Sequence, residues 1–545
     1  MGIINKMQNI INLDQKLNIP SVQIDILRKD FISTDIFFKD IVQFIDYNDE
    51  ILIFDVYTCL LLLDLSLRNE NKTNRPLTSK DNLNILKSLL VLNEEIVKRN
   101  EDSSLKILKG SDDKIITANL YVFLQLRFFD IKFKTPWLFY YTQLIKFYYL
   151  RKFLEFPKNT HLLEKFLEKN KEHSLCMYFD RIYRLVKSYI ETNNLLFDIR
   201  IDNSTITKKD LEFLNNFTIN YNEPNYEDDF IRLRQFPLYK HSNNKFFVLF
   251  YPFVLDKLYR SIFFDLNNIV KFEKINVNDR ILKDFSSYYG KEFSEKYLFY
   301  SVIKDIFIYK KFAMISGEEL ENKKIVGGCD FYIRNGKKVF LFENKNILLD
   351  KKIKTSFNVD QIRKEFYKKL VKYTKNNKDV NTAVLQLITN IQKIFNGEFN
   401  EVDKALLHTK VRIYPIIIIH DFLYNTTGLN ILVNNWFYEE LKQLFIQNDI
   451  SQKQLNKIKK ITIVSIDDLI FYAEYIKKNK FKFDEALEAY FKIEDDKKLN
   501  HERFDSFHSF LFKYLKGKIN VTDFKLSKEL KYKIKYLVSE SGDIP

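Results

Sequence analysis

Hydrophobic residues in positions 1–215 recur three and four residues apart, the spacing that lines one face of a helix. The repeat is seen at Leu61, Leu65, Leu83, Leu86 and Leu90. An aromatic series between residues 139 and 149 fits a helix core better than a base-stacking surface, because no dense basic residues are interleaved with it. The pattern predicts a helical accessory domain over 1–215, for target recognition or partner binding, and the sequence does not choose between the two.

The pattern changes after residue 215, where short apolar runs alternate with turn-forming residues. The segment 216–280 predicts a connecting β/α element that contains a small hairpin, and 477–545 predicts a C-terminal helical segment. Between them, 281–476 predicts an α/β domain. Its predicted elements are a helix over 281–308, a strand at Phe312–Ile315, a hairpin over 324–346, helices at Asp360–Tyr373 and Asn381–Phe395, strands at 411–421 and Lys460–Ser465, and a helix at Asp467–Ile476.

The hairpin over 324–346 carries charged residues on a face that is otherwise apolar. Asn335-Gly336 is a preferred dipeptide for a two-residue type I′ turn, which would place Arg334 opposite Lys337 and Asp330 opposite Leu341. Since side chains alternate along a strand, one face is then shared by Asp330, Tyr332, Val339, Leu341, Glu343 and Lys345. Asp330 and Glu343 become diagonal neighbours, close enough to bind one cation.

Two acids and a lysine on such a face predict metal-assisted chemistry. Burying them unpaired would be costly, whereas a hard cation such as Mg²⁺ would neutralise Asp330 and Glu343. The cation would polarise a phosphate and generate hydroxide, and Lys345 would stabilise the developing charge. This combination indicates hydrolysis of phosphodiester bonds. The alternative is a surface hairpin whose charges are solvated.

Asp330 followed by Glu343-Asn344-Lys345 after a hairpin turn resembles the PD-(D/E)XK nuclease superfamily, whose fold is called restriction-endonuclease-like. Cys329 stands at the position of the name-giving proline, which varies in the superfamily. The resemblance implies an αβββαβ core within 281–476, with Asp330 and Glu343 as metal ligands and Lys345 as a catalytic residue. The backbone carbonyl of Asn344 would supply a further oxygen to Mg²⁺, for which Mn²⁺ could substitute.

The resemblance also implies accessory residues on two helices. Such cores often begin with a helix that carries an acidic metal ligand, which makes Glu295 the candidate and Glu292 the reserve; an exposed carboxylate is the alternative for either. Gln386 is a possible accessory residue at the edge of the apolar stripe of Asn381–Phe395. The RecB-like Gln-x-x-x-Tyr pattern is missing there, so a solvated helix face is the alternative.

His420-Asp421 ends the apolar run of 411–421 and invites a catalytic interpretation. No serine nucleophile or second histidine is spaced to support it. The pair is therefore interpreted as structural or as a minor polar contact.

The positive charge of the chain is concentrated in the half that contains the hairpin. The formal net charge is +15. Residues 1–250 hold 35 basic against 33 acidic residues, residues 251–545 hold 52 against 39, and residues 351–400 alone hold 11 against 4. Excess positive charge beside a phosphodiester-cleaving site favours binding of a polyanion, although lysine-rich sequences also carry solvated lysines without function.

Composition and cysteine usage predict a cytoplasmic globular protein of several domains. Hydrophobic residues make up 46% of the chain. The cysteines Cys59, Cys176 and Cys329 are scattered, which argues against a disulfide framework or a zinc site, and the first residues lack a signal-peptide pattern. The apolar run Ile51–Leu67 contains two aspartates, so it predicts a buried helix instead of a membrane span.

The resemblance implies DNA as the partner, with a homodimer or a partner NTPase subunit as further possibilities, because many such nucleases dimerise to cut both strands. A large accessory domain on such a nuclease suggests a bacterial restriction or phage-defence endonuclease, by analogy of fold. Three alternatives stay open: a catalytically silent nucleic-acid-binding or scaffold subunit, an RNA-cleaving toxin-like nuclease, and a helical interaction protein with an incidental motif.

Overall fold

The computed structural model describes most of the chain from residue 56 onwards. The described ranges are 56–68, 78–107, 112–127, 136–192, 198–200, 207–220, 229–242, 245–308, 312–408, 410–447, 452–498, 501–516, 532–533 and 535–537. They divide into two compact units. The first takes its described residues from Met1–Asp102, Asp130–Lys283 and Lys533–Pro545, and the second from Ser103–Phe129 and Asp284–Tyr532.

The described residues of the N-terminal half are mainly helical, as the hydrophobic spacing predicts. Its helices are α1 (Val56–Arg68), α2 (Ser79–Ile107), α3 (Asp113–Gln125), α4 (Pro136–Leu154), α5 (Thr160–Asn170), α6 (Leu175–Thr192), α7 (Lys208–Asn216), α8 (Ile231–Gln235), α9 (Tyr251–Leu255) and α10 (Arg260–Phe272). Its strands are β1 (Asp198–Arg200), β2 (Leu238–Ser242), β3 (Lys245–Val248), β4 (Asn276–Val277) and β5 (Arg280–Ile281).

The C-terminal half alternates strands and helices. Its helices are α11 (Phe285–Tyr288), which continues through a π-helical stretch (Tyr289–Phe299) into α12 (Tyr300–Phe307), then α13 (Gly317–Asn322), α14 (Lys351–Lys354), α15 (Val359–Leu370), α16 (Ala383–Phe395), α17 (Leu429–Gln447), α18 (Gln452–Leu455), α19 (Ile466–Lys477), α20 (Phe483–Asp495) and α21 (Phe507–Leu515). Its strands are β6 (Ala313–Ser316), β7 (Phe331–Asn335), β8 (Lys338–Lys345), β9 (Lys372–Lys375), β10 (Lys378–Asn381), β11 (Arg412–Ile419) and β12 (Thr462–Ser465).

The first unit is built on α4, whose aromatic residues are core. Phe139, Tyr140, Tyr141, Phe147, Tyr148 and Tyr149 are all buried. The predicted hairpin of 216–250 is present as β2 and β3, and β1 adds a third strand in the order β1-β3-β2. The aromatic series is therefore packed inside, as predicted, and is not presented for base stacking.

The second unit is a mixed α/β structure around a five-stranded sheet with the order β12-β11-β8-β7-β6. β6, β7 and β8 pair antiparallel, whereas β8, β11 and β12 pair parallel. The inner strand β11, which lies between β12 and β8, is buried from Ile413 to Ile419, which explains its continuous apolar sequence. The carboxyl ends of β8, β11 and β12 therefore lie at one edge of the sheet.

Helices cover both faces of this sheet. On one face, Phe299 contacts the register pair Phe331 and Phe342, with ring centroids 6.1 Å apart in each case. On the other face, the apolar stripe of α16 joins Tyr332 and Leu341 in one core, through Val384, Leu387, Ile388 and Ile391. None of the helices in the described residues is long and apolar enough to cross a membrane.

The structure differs from the predicted elements and domain bounds in several places. The helix predicted over Asp360–Tyr373 ends at Leu370, and a hairpin of β9 and β10 follows it. Helix α3, predicted as part of the N-terminal helical domain, packs in the core of the second unit through Ala118, Val122 and Phe123. The second unit also contains α20 and α21, beyond residue 476.

Candidate active site

The hairpin of β7 and β8 has a different turn from the one predicted. The two-residue turn is Gly336-Lys337, where Gly336 takes a positive φ of 57°, and Arg334 pairs with Val339. The predicted turn at Asn335-Gly336 is therefore wrong by one residue, and the predicted register, with Arg334 opposite Lys337, is wrong by two. Because side chains alternate with a period of two, the shift keeps the same residues on each face. Extending the observed register one step beyond Phe331 and Phe342 places Asp330 directly across from Glu343.

Asp330, Glu343 and Lys345 come together at the open end of this hairpin. The backbone N–H of Asn344 donates a hydrogen bond to Asp330 Oδ2 at 2.6 Å, and Lys345 Nζ donates to Glu343 Oε2 at 3.1 Å. The Glu343 side chain is 2% exposed and that of Lys345 is 17% exposed. The alternative of a surface hairpin with solvated charges is therefore wrong.

Glu295 reaches the same group from the preceding helix. Its Oε1 accepts a hydrogen bond from the Tyr300 hydroxyl at 3.2 Å. The two residues are five apart in the chain, the spacing that a π-helical turn places on one side of the helix. A Cβ atom on Gly317 would lie 3.2 Å from that hydroxyl and 3.3 Å from Asp330 Cα, so glycine permits the close approach. The reserve candidate Glu292 instead pairs with Lys296 at 3.2 Å.

All three carboxyl groups have raised pKa values, and burial is the largest cause in each. Burial, followed by the negative charge of Asp330, raises the pKa of Glu295 to about 7. Burial and then Asp330 also raise the pKa of Glu343 well above its usual value. Burial raises the pKa of Asp330, against the opposing effect of Lys345. Burial by itself lowers the pKa of Lys345, but Glu343 and Asp330 outweigh it and the pKa is raised. Three acids therefore share one lysine.

Two polar residues at the ends of neighbouring strands make contact beside this cluster. His420 Nε2 lies 2.8 Å from Asn344 Oδ1, since β11 runs parallel to β8 and ends beside it. This agrees with the interpretation of His420 as a polar contact. The buried Asn344 is thereby fixed on both sides, by its side chain to His420 and by its backbone N–H to Asp330.

Helix α16 holds the loop that leads into Asp330. Lys393 Nζ donates hydrogen bonds to the backbone carbonyls of Val326 and Gly327, the second at 3.1 Å. Asn390 is fully buried, and its Nδ2 donates to the carbonyl of Gln386 at 2.8 Å. Gln386 Oε1 and Asn390 Oδ1 are buried without a hydrogen-bond partner in the part of the chain that the structure describes. The expectation of a solvated helix face is therefore wrong here.

The donor set suits a hard divalent cation. Asp330 and Glu343 supply carboxylate oxygens at one edge of the sheet, and burial raises the pKa of both, so a cation would offset the cost of their ionised forms. Within the described ranges, no three or more His, Cys, Asp or Glu side chains form a complete metal cage. Magnesium is commonly bound by one or two carboxylates together with waters and substrate phosphates.

Sequence reasoning missed Tyr300, the contact of Lys393 with the loop before Asp330, and Asn344 as the partner of His420. The Tyr300–Glu295 contact depends on a π-helical stretch that no sequence pattern predicts. Lys393 lies in the last turn of an amphipathic helix, where lysine is ordinary. No protein-family model, curated protein or solved structure matches the chain.

Proposed function

We propose that the protein is a magnesium-dependent nuclease that hydrolyses phosphodiester bonds in DNA, with its catalytic centre at Asp330, Glu343 and Lys345. The observation that carries this proposal is the meeting of those three side chains at one edge of the sheet. Asp330 lies across from Glu343, Lys345 is hydrogen-bonded to Glu343, and the backbone N–H of Asn344 holds Asp330. Glu295 adds a third acid from a separate helix. A bacterial restriction or phage-defence role remains a prediction from the resemblance.

The order of elements supports a restriction-endonuclease-like core. A long helix precedes β6, β7 and β8, which pair antiparallel, and α16 then leads to β11, which pairs parallel with β8. This is the αβββαβ order that the resemblance implies. The acids and the lysine lie at the start of the second strand and the end of the third, as in the predicted motif.

Each residue of the centre has a distinct chemical task. Asp330 and Glu343 would hold the magnesium ion, with Glu295 and the Asn344 carbonyl as further donors. When bound, the ion supplies polarisation of the scissile phosphate and a lowered pKa for the attacking water. Lys345 keeps its proton, because Glu343 and Asp330 raise its pKa. Its ammonium group therefore donates hydrogen bonds where negative charge builds up in the transition state.

The test is cleavage of plasmid DNA, single-stranded DNA and RNA by the purified protein, with Mg²⁺, with Mn²⁺ and with EDTA. We expect Mg²⁺-dependent cutting of DNA that Lys345→Ala lowers by about 10²–10³-fold, the usual cost of one transition-state donor. Lys337→Ala is the matched control, because Lys337 is an exposed lysine in the turn of the same hairpin. It should cut at the wild-type rate.

Each outcome decides between named functions. Cutting of RNA alone would replace the DNA assignment with an RNA-cleaving nuclease. If the wild type cuts nothing with either metal and also binds neither metal in calorimetry, the nuclease proposal fails and a nucleic-acid-binding or scaffold role takes its place.

A further inference from the structure

A small hairpin, formed by β9 and β10, lies in the connection between β8 and α16. Strand β8 carries Glu343 and Lys345, and α16 packs against the same sheet. β9 and β10 pair antiparallel through a two-residue turn at Asn376-Asn377. Both turn residues take left-handed backbone conformations, with φ of 52° and 58°. This combination matches the strand twist and makes a tight two-stranded ribbon.

The tip of this ribbon carries two like charges in a position that destabilises a strand pair. Lys375 and Lys378 are directly opposite each other in the register, and both are exposed. No acid pairs with either lysine among the described residues, and the nearby Asp379 carboxylate accepts a hydrogen bond from the Thr374 hydroxyl at 2.9 Å. The described part of the chain therefore leaves these two positive charges without an acidic partner.

The base of the ribbon is neutralised and anchored. Lys372 lies 3.2 Å from Glu440, which also accepts a hydrogen bond from the Tyr367 hydroxyl at 2.7 Å. The backbone N–H of Thr382 donates to the Val371 carbonyl at 2.9 Å and closes the base. In the described structure, the lysine at the base of the ribbon has an acidic partner, whereas the two lysines at its tip have none. This difference indicates a contact surface at the tip, since a segment that is merely rich in lysine would show no such contrast.

The helix that leads into the ribbon extends the positive surface. α15 buries Ile362, Phe366 and Leu370 and exposes Arg363 and Lys364 on its other side. The stretch 351–400 holds 11 basic and 4 acidic residues, and it begins six residues after Lys345. The chain thus places its most basic stretch directly after the candidate catalytic strand.

We propose that the tip of the β9–β10 ribbon binds the phosphate backbone of duplex DNA through Lys375 and Lys378, an inference that rests on the nuclease function proposed above. A two-stranded ribbon fits the major groove of B-DNA. Lysines at such positions neutralise phosphates and fix the position of the duplex without reading its sequence. Neutralisation also removes the repulsion between the paired lysines, so DNA binding and ribbon geometry favour each other.

The experiment measures binding of a fluorescein-labelled DNA duplex in EDTA, where metal-dependent cleavage cannot occur, across a series of salt concentrations. The variant is Lys375→Gln/Lys378→Gln. We expect weaker binding and a salt slope that is smaller by about 1.8, because each phosphate contact contributes about 0.9. The matched control is Lys453→Gln/Lys497→Gln, two exposed lysines elsewhere in the second unit, which should bind as the wild type does.

The outcomes separate this inference from the nuclease proposal. An unchanged slope and affinity in the ribbon variant, or no duplex binding by the wild type, would overturn the ribbon assignment even if the enzyme cuts DNA. A ribbon-dependent loss seen only with a matched RNA duplex would overturn the choice of DNA. Ribbon-dependent DNA binding by a protein that never cuts would uphold the surface and reject the nuclease. Equal melting temperatures would show that the variant is folded.

Discussion

Buried carboxyl groups lie at both ends of the hairpin of β7 and β8. The pKa of the carboxyl group near the turn is lowered, whereas the pKa values of those at the open end are raised. Near the turn, Asp403 is buried and accepts a hydrogen bond from the Tyr332 hydroxyl at 2.9 Å and another from Arg334 at 2.8 Å. Burial acts to raise the pKa of Asp403, but the hydrogen bonds from Arg334 and Tyr332 overcome it and hold the pKa below its usual value.

At the open end, three carboxyl groups lie around the ammonium group of Lys345. Glu295, Asp330 and Glu343 all have raised pKa values, and Lys345 is the cation hydrogen-bonded within the group. The Asp403 end is a completed ion pair that contributes to the fold. The Asp330 end keeps buried acids whose raised pKa values mean that ionising them destabilises the fold, and the proposed magnesium ion would offset that cost. The difference supports placing the proposed site at the Asp330 end.

The largest expected effect on stability is at the completed end. Asp403→Asn leaves Arg334 without its carboxylate partner, so we expect a loss of about 3 kcal/mol in the free energy of unfolding, as for a broken buried pair. Thermal and urea unfolding would measure it. The wild-type ion pair contributes stability above the ordinary aspartate pKa and loses it as the pH falls through the lowered value, so the deficit should shrink in acid.

The exposed neighbour Glu401 supplies the control for that substitution. Glu401→Gln should unfold with the wild type, and Asp403→Asn should keep its cleavage rate per folded molecule. If Asp403→Asn lost cleavage activity without losing stability, the Asp403 end would take part in cleavage, and the contrast between the two ends would fail.

At the open end we expect a smaller change in the free energy of unfolding, and a gain in stability instead of a loss. Asp330→Asn removes one of the competing acids while its side-chain oxygen can still accept the N–H of Asn344. Without metal, we expect a gain on the order of 1 kcal/mol in the free energy of unfolding at about pH 8. Because the folded-state pKa values of Glu295, Asp330 and Glu343 are raised, wild-type stability without metal is full in acid and falls as the pH rises through these raised pKa values, of which that of Glu295 is about 7.

The gain should therefore be small at about pH 5 and grow towards about pH 8 in melting experiments with EDTA. Magnesium should stabilise the wild type and not the variant, since ligand binding to the folded state alone raises stability. An Asp330→Asn protein that melts below the wild type at the higher pH in EDTA would show that the acids are not in surplus.

Much of the second unit follows from local sequence pattern. The run Ile413–Ile419 predicts a buried strand, and the stripe from Val384 to Ile391 predicts the inner face of α16. The shared face of Asp330 and Glu343 survives a wrong turn, because an error of two residues does not change which way a side chain points. Strand faces and helix faces, which repeat every two or 3.6 residues, can thus be predicted from the sequence without knowledge of the fold.

The rest depends on contacts that no local pattern encodes. Asp403 lies 69 residues from Arg334 in the chain, and nothing near either residue indicates the other. The β9–β10 ribbon follows a helix whose lysine-rich sequence continues without a visible break, although Asn376-Asn377 is a turn signal in retrospect. The Tyr300 contact requires a π-helical stretch. Tertiary packing decided each of these features.

The smallest expected effect concerns the loop that leads into the open end. Lys393→Met removes the hydrogen bonds to the carbonyls of Val326 and Gly327 while it keeps the length of the side chain. Ordinary hydrogen bonds contribute about 0.5–1.5 kcal/mol each, so we expect magnesium affinity to fall by several-fold and the melting temperature to change little. Titration of Mg²⁺ by calorimetry measures the affinity directly. Lys404→Met, at an exposed lysine shortly after α16, is the control and should bind magnesium normally. If Lys393→Met binds as tightly as the control, the position of Asp330 is fixed by the sheet and by Asn344 alone, and the loop has no part in the difference between the two ends.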